Sequence, residues 1–443
     1  MKCSIISGQM PIVFPAGTFF ANGPDARSMP ERPAHPLDGD GRVQRVRFER
    51  AGAVPSISSA CVQTEHRKNE NNAGRLLYRH TFGSGPRFSA SLKHSANTNF
   101  VVHACRGLAL WEGGHPYEMD PSSLETLGSF NMRSLARSGM PAATGLGATL
   151  DAALGLGGDA VCAHPRRDPA TGTTAFMLFR HEPRGTRIRI ASLPDGSFKP
   201  LHVREVLVPH FSIIHDFGIT RDYYVFFAAT MVFDWFAFFC GASMADCSRQ
   251  TTGSTKMYLV HRWHIRQRPE VLDAGHVFST HVVNAFQTAR WVVADVVAMP
   301  RLLDPPRGMP DVRMMRFASR DGAVTSHVMC SHLTEFPTTA PAVQGLAYRF
   351  AYAASDPFGW TKIDTVSGMT WLCSCVSGPH AEPVFVPAPD GKNEDDGWLI
   401  GFAMDGDSAL LCVADARTMT PTCVMQAPGV HAFTLHGCFI KDA

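Results

Sequence analysis

The sequence predicts an all-β protein. Apolar runs of four to eight residues recur from end to end, and 31 prolines and 38 glycines punctuate them with turn signals. Long amphipathic helical periodicity is scarce. In chain order the clearest strand-like runs are Arg187 to Ala191, Tyr223 to Phe227, Lys256 to Val260, Trp291 to Val297, Tyr348 to Ala353, Trp398 to Phe402 and Ala409 to Val413. So many short strands argue for a sandwich, a barrel or a propeller. Three stretches break the pattern. Gly145 to Gly158 has glycine spacings like those of a phosphate loop but lacks the Gly-Lys-Ser/Thr ending that cradles phosphate. It reads as a surface loop or short helix. Arg307 to Val312, after Asp304-Pro305-Pro306, reads as a loop on one face of the molecule. Lys392 to Asp396 reads as a solvated turn ahead of a strand.

A chain of 443 residues exceeds the usual single-domain range. A closed repeat architecture is the standard exception, because each repeat adds its own slice of core. With 45% hydrophobic and 18% charged residues, the composition is globular. A formal net charge of +2 argues against a dedicated nucleic-acid surface. The 12 cysteines mostly stand singly in apolar runs, such as Val102-His103-Ala104-Cys105 and Leu410-Leu411-Cys412-Val413. Buried free cysteine behaves as a small hydrophobe. Cys373-Ser374-Cys375 is the one close pair, too little by itself for a zinc site. This usage fits a reducing compartment. Met1 to Pro15 lacks the charged and apolar regions of a signal peptide. Tyr223 to Phe239, at about 17 residues, is marginal for crossing a bilayer. It reads as a buried strand followed by an apolar loop, with a patch dipping into one leaflet as the rival reading.

Twenty histidines are present, and a lone histidine in a strand is usually a satisfied core or surface residue. Local pattern does not choose among them: His80, His94, His103, His210, His276 and His431 all stand in plausible contexts. Four segments set a histidine beside a strand-like run: Ala163-His164-Pro165, His215-Asp216-Phe217, His281 ahead of Asn284-Ala285-Phe286, and His436-Gly437. Three glutamates stand in Leu110-Trp111-Glu112-Gly113-Gly114, Thr334-Glu335-Phe336-Pro337 and Glu382-Pro383-Val384-Phe385-Val386. Alongside these stand Gly17-Thr18-Phe19-Phe20-Ala21-Asn22-Gly23-Pro24, Asp38-Gly39-Asp40-Gly41, Ala96-Asn97-Thr98-Asn99, the stretch from Ala109 to Pro121, and Glu394-Asp395-Asp396-Gly397-Trp398. Together, in this order, they resemble the carotenoid cleavage oxygenase family, from about Gly17 to the end of the chain.

The resemblance implies a seven-bladed β-propeller, with long capping loops over a central metal site and residues 1–443 in a single domain. It implies one Fe2+ held by His164, His215, His281 and His436. Glu112, Glu335 and Glu382 would accept the other ring N–H of three of these, while His164, followed by Pro165, would lack such a partner. Four imidazoles on an octahedral ion leave two positions open for O2 and water, which suits Fe2+. The steps between these histidines are 51, 66 and 155 residues. A four-stranded blade takes roughly 40–60 residues, so these fit one blade, one blade, then two or three.

The implied activity is oxidative cleavage of a carbon–carbon double bond in a carotenoid or apocarotenoid, giving two carbonyl products. The partner is an apolar polyene, with Phe217, Phe286, Phe433 and Trp111 expected to line its tunnel. Peripheral membrane contact and a cytoplasmic or plastid location are expected, and no nucleic acid. Stilbene-cleaving members activate a phenol with a tyrosine–lysine pair, the lysine lying close to the glutamate; here Trp111 precedes Glu112, and indole N–H can only donate. Stilbene cleavage and retinoid ester isomerohydrolysis are therefore the alternatives within the family. A metal-free propeller used as an interaction platform is the rival from another class. Two departures stand out. Gln287 occupies a position where an acidic residue is common, and the N-terminal segment is shorter than in relatives. A truncated closing segment is expected to weaken ring closure and membrane binding.

Overall fold

The computed structural model describes all residues except 90, 133–134, 136–159, 183, 301, 303–311, 331, 356–358, 407, 431–432 and 443. Gly145 to Gly158, most of Arg307 to Val312, and His431 thus lie outside the described residues. The described strands form seven antiparallel sheets of four or five strands, arranged as the blades of a propeller, and one two-stranded ribbon. In blade order the innermost strands are His436–Lys441, Asn99–His103, Arg166–Asp168, Gly218–Ile219, Phe278–Gln287, Thr334–Thr339 and Val384–Pro387. Each blade packs face-on against two neighbours, so both faces of its strands are covered. Such strands need not alternate apolar and polar residues. Gly397–Asp405, for example, is buried continuously from Gly397 to Ala403. The seven runs read from sequence all fall in or overlap strands, which extend beyond them; Ala409 to Val413 lies within Ser408–Asp415.

Both chain ends close the ring. Gly17–Asp25 pairs with His436–Lys441, from Gly17 opposite Lys441 to Asn22 opposite His436. Ser4–Gly8 adds an outer strand to blade seven by pairing with Thr420–Gln426. Two strand pairings in adjacent blades thus join the two ends of the chain. Gly437 serves this seam. A Cβ there would lie 2.1 Å from the Phe20 carbonyl oxygen, so only glycine lets the two strands approach.

Side-chain amides and carboxylates staple blade to blade near the axis. Asn22 Nδ2 donates to the carbonyls of Ala96 and Asn99 at 2.9 and 3.0 Å, and Asn99 Nδ2 donates to Ala163 O at 2.7 Å. Asn284 Nδ2 donates to Val343 and Leu346 carbonyls at 2.9 and 3.1 Å. Gln287 uses both ends of its amide. Its Oε1 accepts from Thr220 Oγ1 and Asp222 N, and its Nε2 donates to Asp222 Oδ2 at 3.2 Å, which an acidic residue could not do.

The run Tyr223 to Phe239 divides. Tyr223–Ala228 is a largely buried strand of blade four, and Met231–Phe233 forms the ribbon with Ser248–Gln250. Helix α2 (Trp235–Phe239) follows helix α1 (Glu65–Ala73) in chain order and is capped by Asp234 Oδ1, which accepts from Ala237 N at 2.9 Å. Expected as a loop, this segment is helical because the aspartate satisfies an otherwise orphaned N–H of its first turn. No helix of the described residues is long and apolar enough to cross a membrane.

Candidate metal centre

All seven blades send one residue to the axis. His436 begins the inner strand of blade one, and Glu112 follows Arg106–Leu110 of blade two. His164 and His215 lie just ahead of the inner strands of blades three and four, and His281 lies within that of blade five. Glu335 lies in the inner strand of blade six, and Glu382 just ahead of that of blade seven. Two register shifts flank His281, between Ser279 and His281 and between Val282 and Asn284, and another follows Glu335. Such bulges re-aim side chains that regular pleating would send elsewhere.

The four histidines converge through Nε2. His164 and His215 are 3.1 Å apart, His215 and His281 3.1 Å, and His281 and His436 3.3 Å, measured between Nε2 atoms. All four ligand atoms lie within 4.8 Å of one another. Behind them, Glu335 Oε2 accepts from His281 Nδ1 at 2.6 Å and Glu382 Oε1 from His436 Nδ1 at 3.0 Å. Glu112 Oε1 lies 2.6 Å from His215 Nδ1. Among the described residues His164 is the one of the four without a carboxylate partner.

These contacts place the ring protons of His215, His281 and His436 on Nδ1 and leave their lone pairs on Nε2. Lone pairs facing one another at 3.1–3.3 Å repel unless a cation stands between them. Imidazole nitrogens about 2.0–2.1 Å from a metal, at right angles, would be roughly 3 Å apart. The donor set thus fits a transition-metal ion, and Fe2+ among them.

The electrostatics differ from one group to the next. Burial disfavours a charged His215, yet Glu112 beside it outweighs burial and lifts the imidazole to about 9. Burial also disfavours a charged Glu335, but His281 and the Phe336 amide hold it at about 2. His164 is held well below the ordinary value by burial and by the other three imidazoles, and burial likewise lowers His436 against the pull of Glu382.

Two functional neighbours went unassigned in the sequence, although both adjoin motif residues. Asp216 accepts from Phe217 N at 2.7 Å and Val282 N at 2.7 Å and pairs with Arg166, tying the segments that carry His164, His215 and His281 together. Phe336 has φ of +54°, strained for a bulky residue, and its ring lies 5.8 Å from His281 and 5.3 Å from His436.

The expected tunnel residues are not placed alike. Phe217 is wholly buried among the side chains of blades three and four, 6.3 Å from Tyr224. Phe286 lies in a core cluster, 6.1 Å from Tyr348. None of the four, Phe433 and Trp111 included, lines the axial cavity beside the histidines. The reason is that an inner strand is covered on both faces, so apolar residues a few positions from a ligand enter the packing between blades. Phe433 packs 6.3 Å from Phe336, and Trp111 packs 4.8 Å from His94. The cavity itself, ≈ 260 Å³, is lined by His164, His281, His436, Arg166, Val283 and Phe385 among others.

The family model described as Retinal pigment epithelial membrane protein, RPE65, matches residues 1–441. The chain is 30% identical to Apocarotenoid-15,15'-oxygenase of Synechocystis sp., over 96% of this chain and 90% of that protein. It is 25% identical to Isoeugenol monooxygenase of Pseudomonas putida, over 98% of this chain and 93% of that protein. The crystal structure of cobalt-substituted Synechocystis apocarotenoid oxygenase superposes with a TM-score of 0.87 at 27% identity, covering 98% of this chain and 94% of the other.

Proposed function

Because the chain belongs to the retinal pigment epithelial membrane protein family, the carotenoid cleavage oxygenases, we propose that it is a non-haem Fe2+ dioxygenase acting on a carotenoid or apocarotenoid. The observation that carries this is the convergence of four imidazole nitrogens, three of the rings backed by carboxylates. His164, His215, His281 and His436 would hold the iron, which supplies O2 activation when bound. Glu112, Glu335 and Glu382 fix ring orientation and offset the ion's charge. Asp216 and Arg166 keep three of the ligand-bearing segments in register. Net, one C=C and one O2 become two C=O groups.

A polyene needs no deprotonation, and Trp111 offers none. A phenolic substrate is the second reading, favoured by the likeness to the isoeugenol enzyme. Iron-loaded protein should convert an apocarotenoid into shorter aldehydes identified by chromatography and mass, with negligible turnover of resveratrol or isoeugenol. Efficient cleavage of either phenol, with every carotenoid and apocarotenoid untouched, would reverse the order.

The substrate's home is a bilayer, and α2 offers it a docking face. Trp235, Phe236 and Phe239 are exposed, Phe236 to 80%. Peripheral contact through this helix, without a span, is part of the proposal. So is a reducing compartment, in keeping with 12 cysteines that are all free.

A further inference from the structure

Sulfur gathers at the seam between blades six and seven. Thr370–Cys373, the outer strand of blade six, ends in Cys373, and the connection to blade seven carries Cys375 and His380. Cys412 reaches the same place from Ser408–Asp415, the third strand of blade seven counted from the axis. The Sγ atoms of Cys375 and Cys412 and a ring nitrogen of His380 lie within 4.8 Å of one another. Cys373, Cys375 and Cys412 also pack in one cluster of the core. Among the described residues this is the one group, besides the four histidines, where three or more ligand-type side chains converge.

His380 is held as a ligand would be. Its Nδ1 donates to Gly378 O at 2.9 Å, so the lone pair is on Nε2, where a weak 3.2 Å bond from the Cys375 amide meets it. A carbonyl on the far ring N–H is the usual support of a metal-binding histidine. The ring also stands edge-on to Trp360, 5.5 Å away. Cys373, His380 and Cys412 are buried while Cys375 is half-buried, which gives an ion a way in.

We propose that Cys375, His380 and Cys412, with Cys373 as fourth ligand, bind Zn2+ in a site separate from the four-histidine centre. Three sulfurs and one imidazole are a structural zinc set, and sulfur selects against the harder ions. Tetrahedral zinc, about 2.3 Å from sulfur and 2.0–2.1 Å from nitrogen, spaces its ligands roughly 3.5 Å apart, and the ligand atoms of Cys375, His380 and Cys412 already lie within 4.8 Å of one another. Binding releases the thiol protons to solvent, leaving thiolates to offset the charge. The Nε2 lone pair passes from the Cys375 amide to the ion. The site ties the outer strand of blade six to the third strand of blade seven. It lies two residues ahead of Glu382, the partner of His436.

The test is Co2+ titration of reduced full-length protein whose histidine centre has first been filled with Fe2+. Sulfur-to-cobalt charge transfer absorbs in the near ultraviolet, which a four-histidine site cannot produce. The expected band saturates near about one equivalent, is abolished by Zn2+, and is lost in Cys375→Ala and in Cys412→Ala. On unmutated protein, Zn2+ should protect Cys375 from iodoacetamide, read by peptide mass. No band in the unmutated protein, or full intensity in Cys375→Ala, overturns the site. So does unprotected Cys375, or a Cys375–Cys412 disulfide as the cellular state with no zinc in the reduced protein.

Discussion

His164 and His281 face the same point but are held by different means. His281 is oriented by the Glu335 carboxylate at 2.6 Å, whereas His164 is placed by backbone, with Asn99 anchoring the preceding carbonyl. Alanine at any of the four histidines removes a metal ligand and should strip most of the iron, measured by elemental analysis of purified protein. Full iron and full activity in one such variant would strike that histidine from the set. Glu335→Gln and Glu382→Gln keep the shape but lose the charge, so each should cost roughly 10–100-fold in affinity or rate. A change below two-fold in both would show that the carboxylates are dispensable.

Two elements outside the blades make separate demands on the chain. Helix α1 anchors a buried charge network: Glu70 and Lys93 pair directly, Lys93 Nζ lies 2.8 Å from Asp40 Oδ1, and Arg67 reaches Asp40 Oδ2 at 2.7 Å. Burial opposes a charged Glu70, but His80 and Lys93 win and hold it at about 2 against an ordinary 4.5. A depressed carboxyl stabilises the fold above 4.5, and that contribution disappears as pH falls toward about 2. Glu70→Gln should therefore cost about 1.5–3 kcal/mol at neutral pH, because Lys93 loses one of its two carboxylate partners and keeps Asp40. Its deficit should shrink between pH 4.5 and 2, followed by urea unfolding; a deficit that stays constant across that range would refute the linkage. Helix α2 has the opposite character, a short apolar element turned to solvent. Phe236→Asp with Phe239→Asp should lower binding to phosphatidylcholine vesicles by about ten-fold or more, from the apolar burial lost. Unchanged co-flotation of that variant would dismiss α2 as the docking face.

At the scale of the whole molecule, the two joints of the ring are unequal. Ser4–Gly8 is an exposed outer strand, while His436–Lys441 is the inner strand of blade one and brings a candidate ligand with it. Removing residues 1–8 should lower the thermal midpoint by roughly a few degrees and leave iron content intact. Removing 436–443 should open the ring and abolish iron binding. A folded, iron-replete protein after the second deletion would mean that the ring does not depend on this joint.

Strand-rich architecture was legible in the sequence because short apolar runs and turn residues act locally. The histidine and glutamate motifs were legible through resemblance, since each is a short contiguous string. What the chain does between such strings was not. Phe217 and Phe286 stand beside ligands in sequence yet enter the packing between blades, because an inner strand is covered on both faces. Cys373 and Cys375 look like an isolated pair until blade seven brings Cys412 beside them and the connecting turn folds His380 inward. Strand register and bulges decide which way a side chain points, and the packing of one blade on the next decides what it meets. Both depend on contacts distant in sequence: local pattern marks the strand-forming segments and the side-chain chemistry on hand, while which of those groups share a point in space follows from how the blades pack.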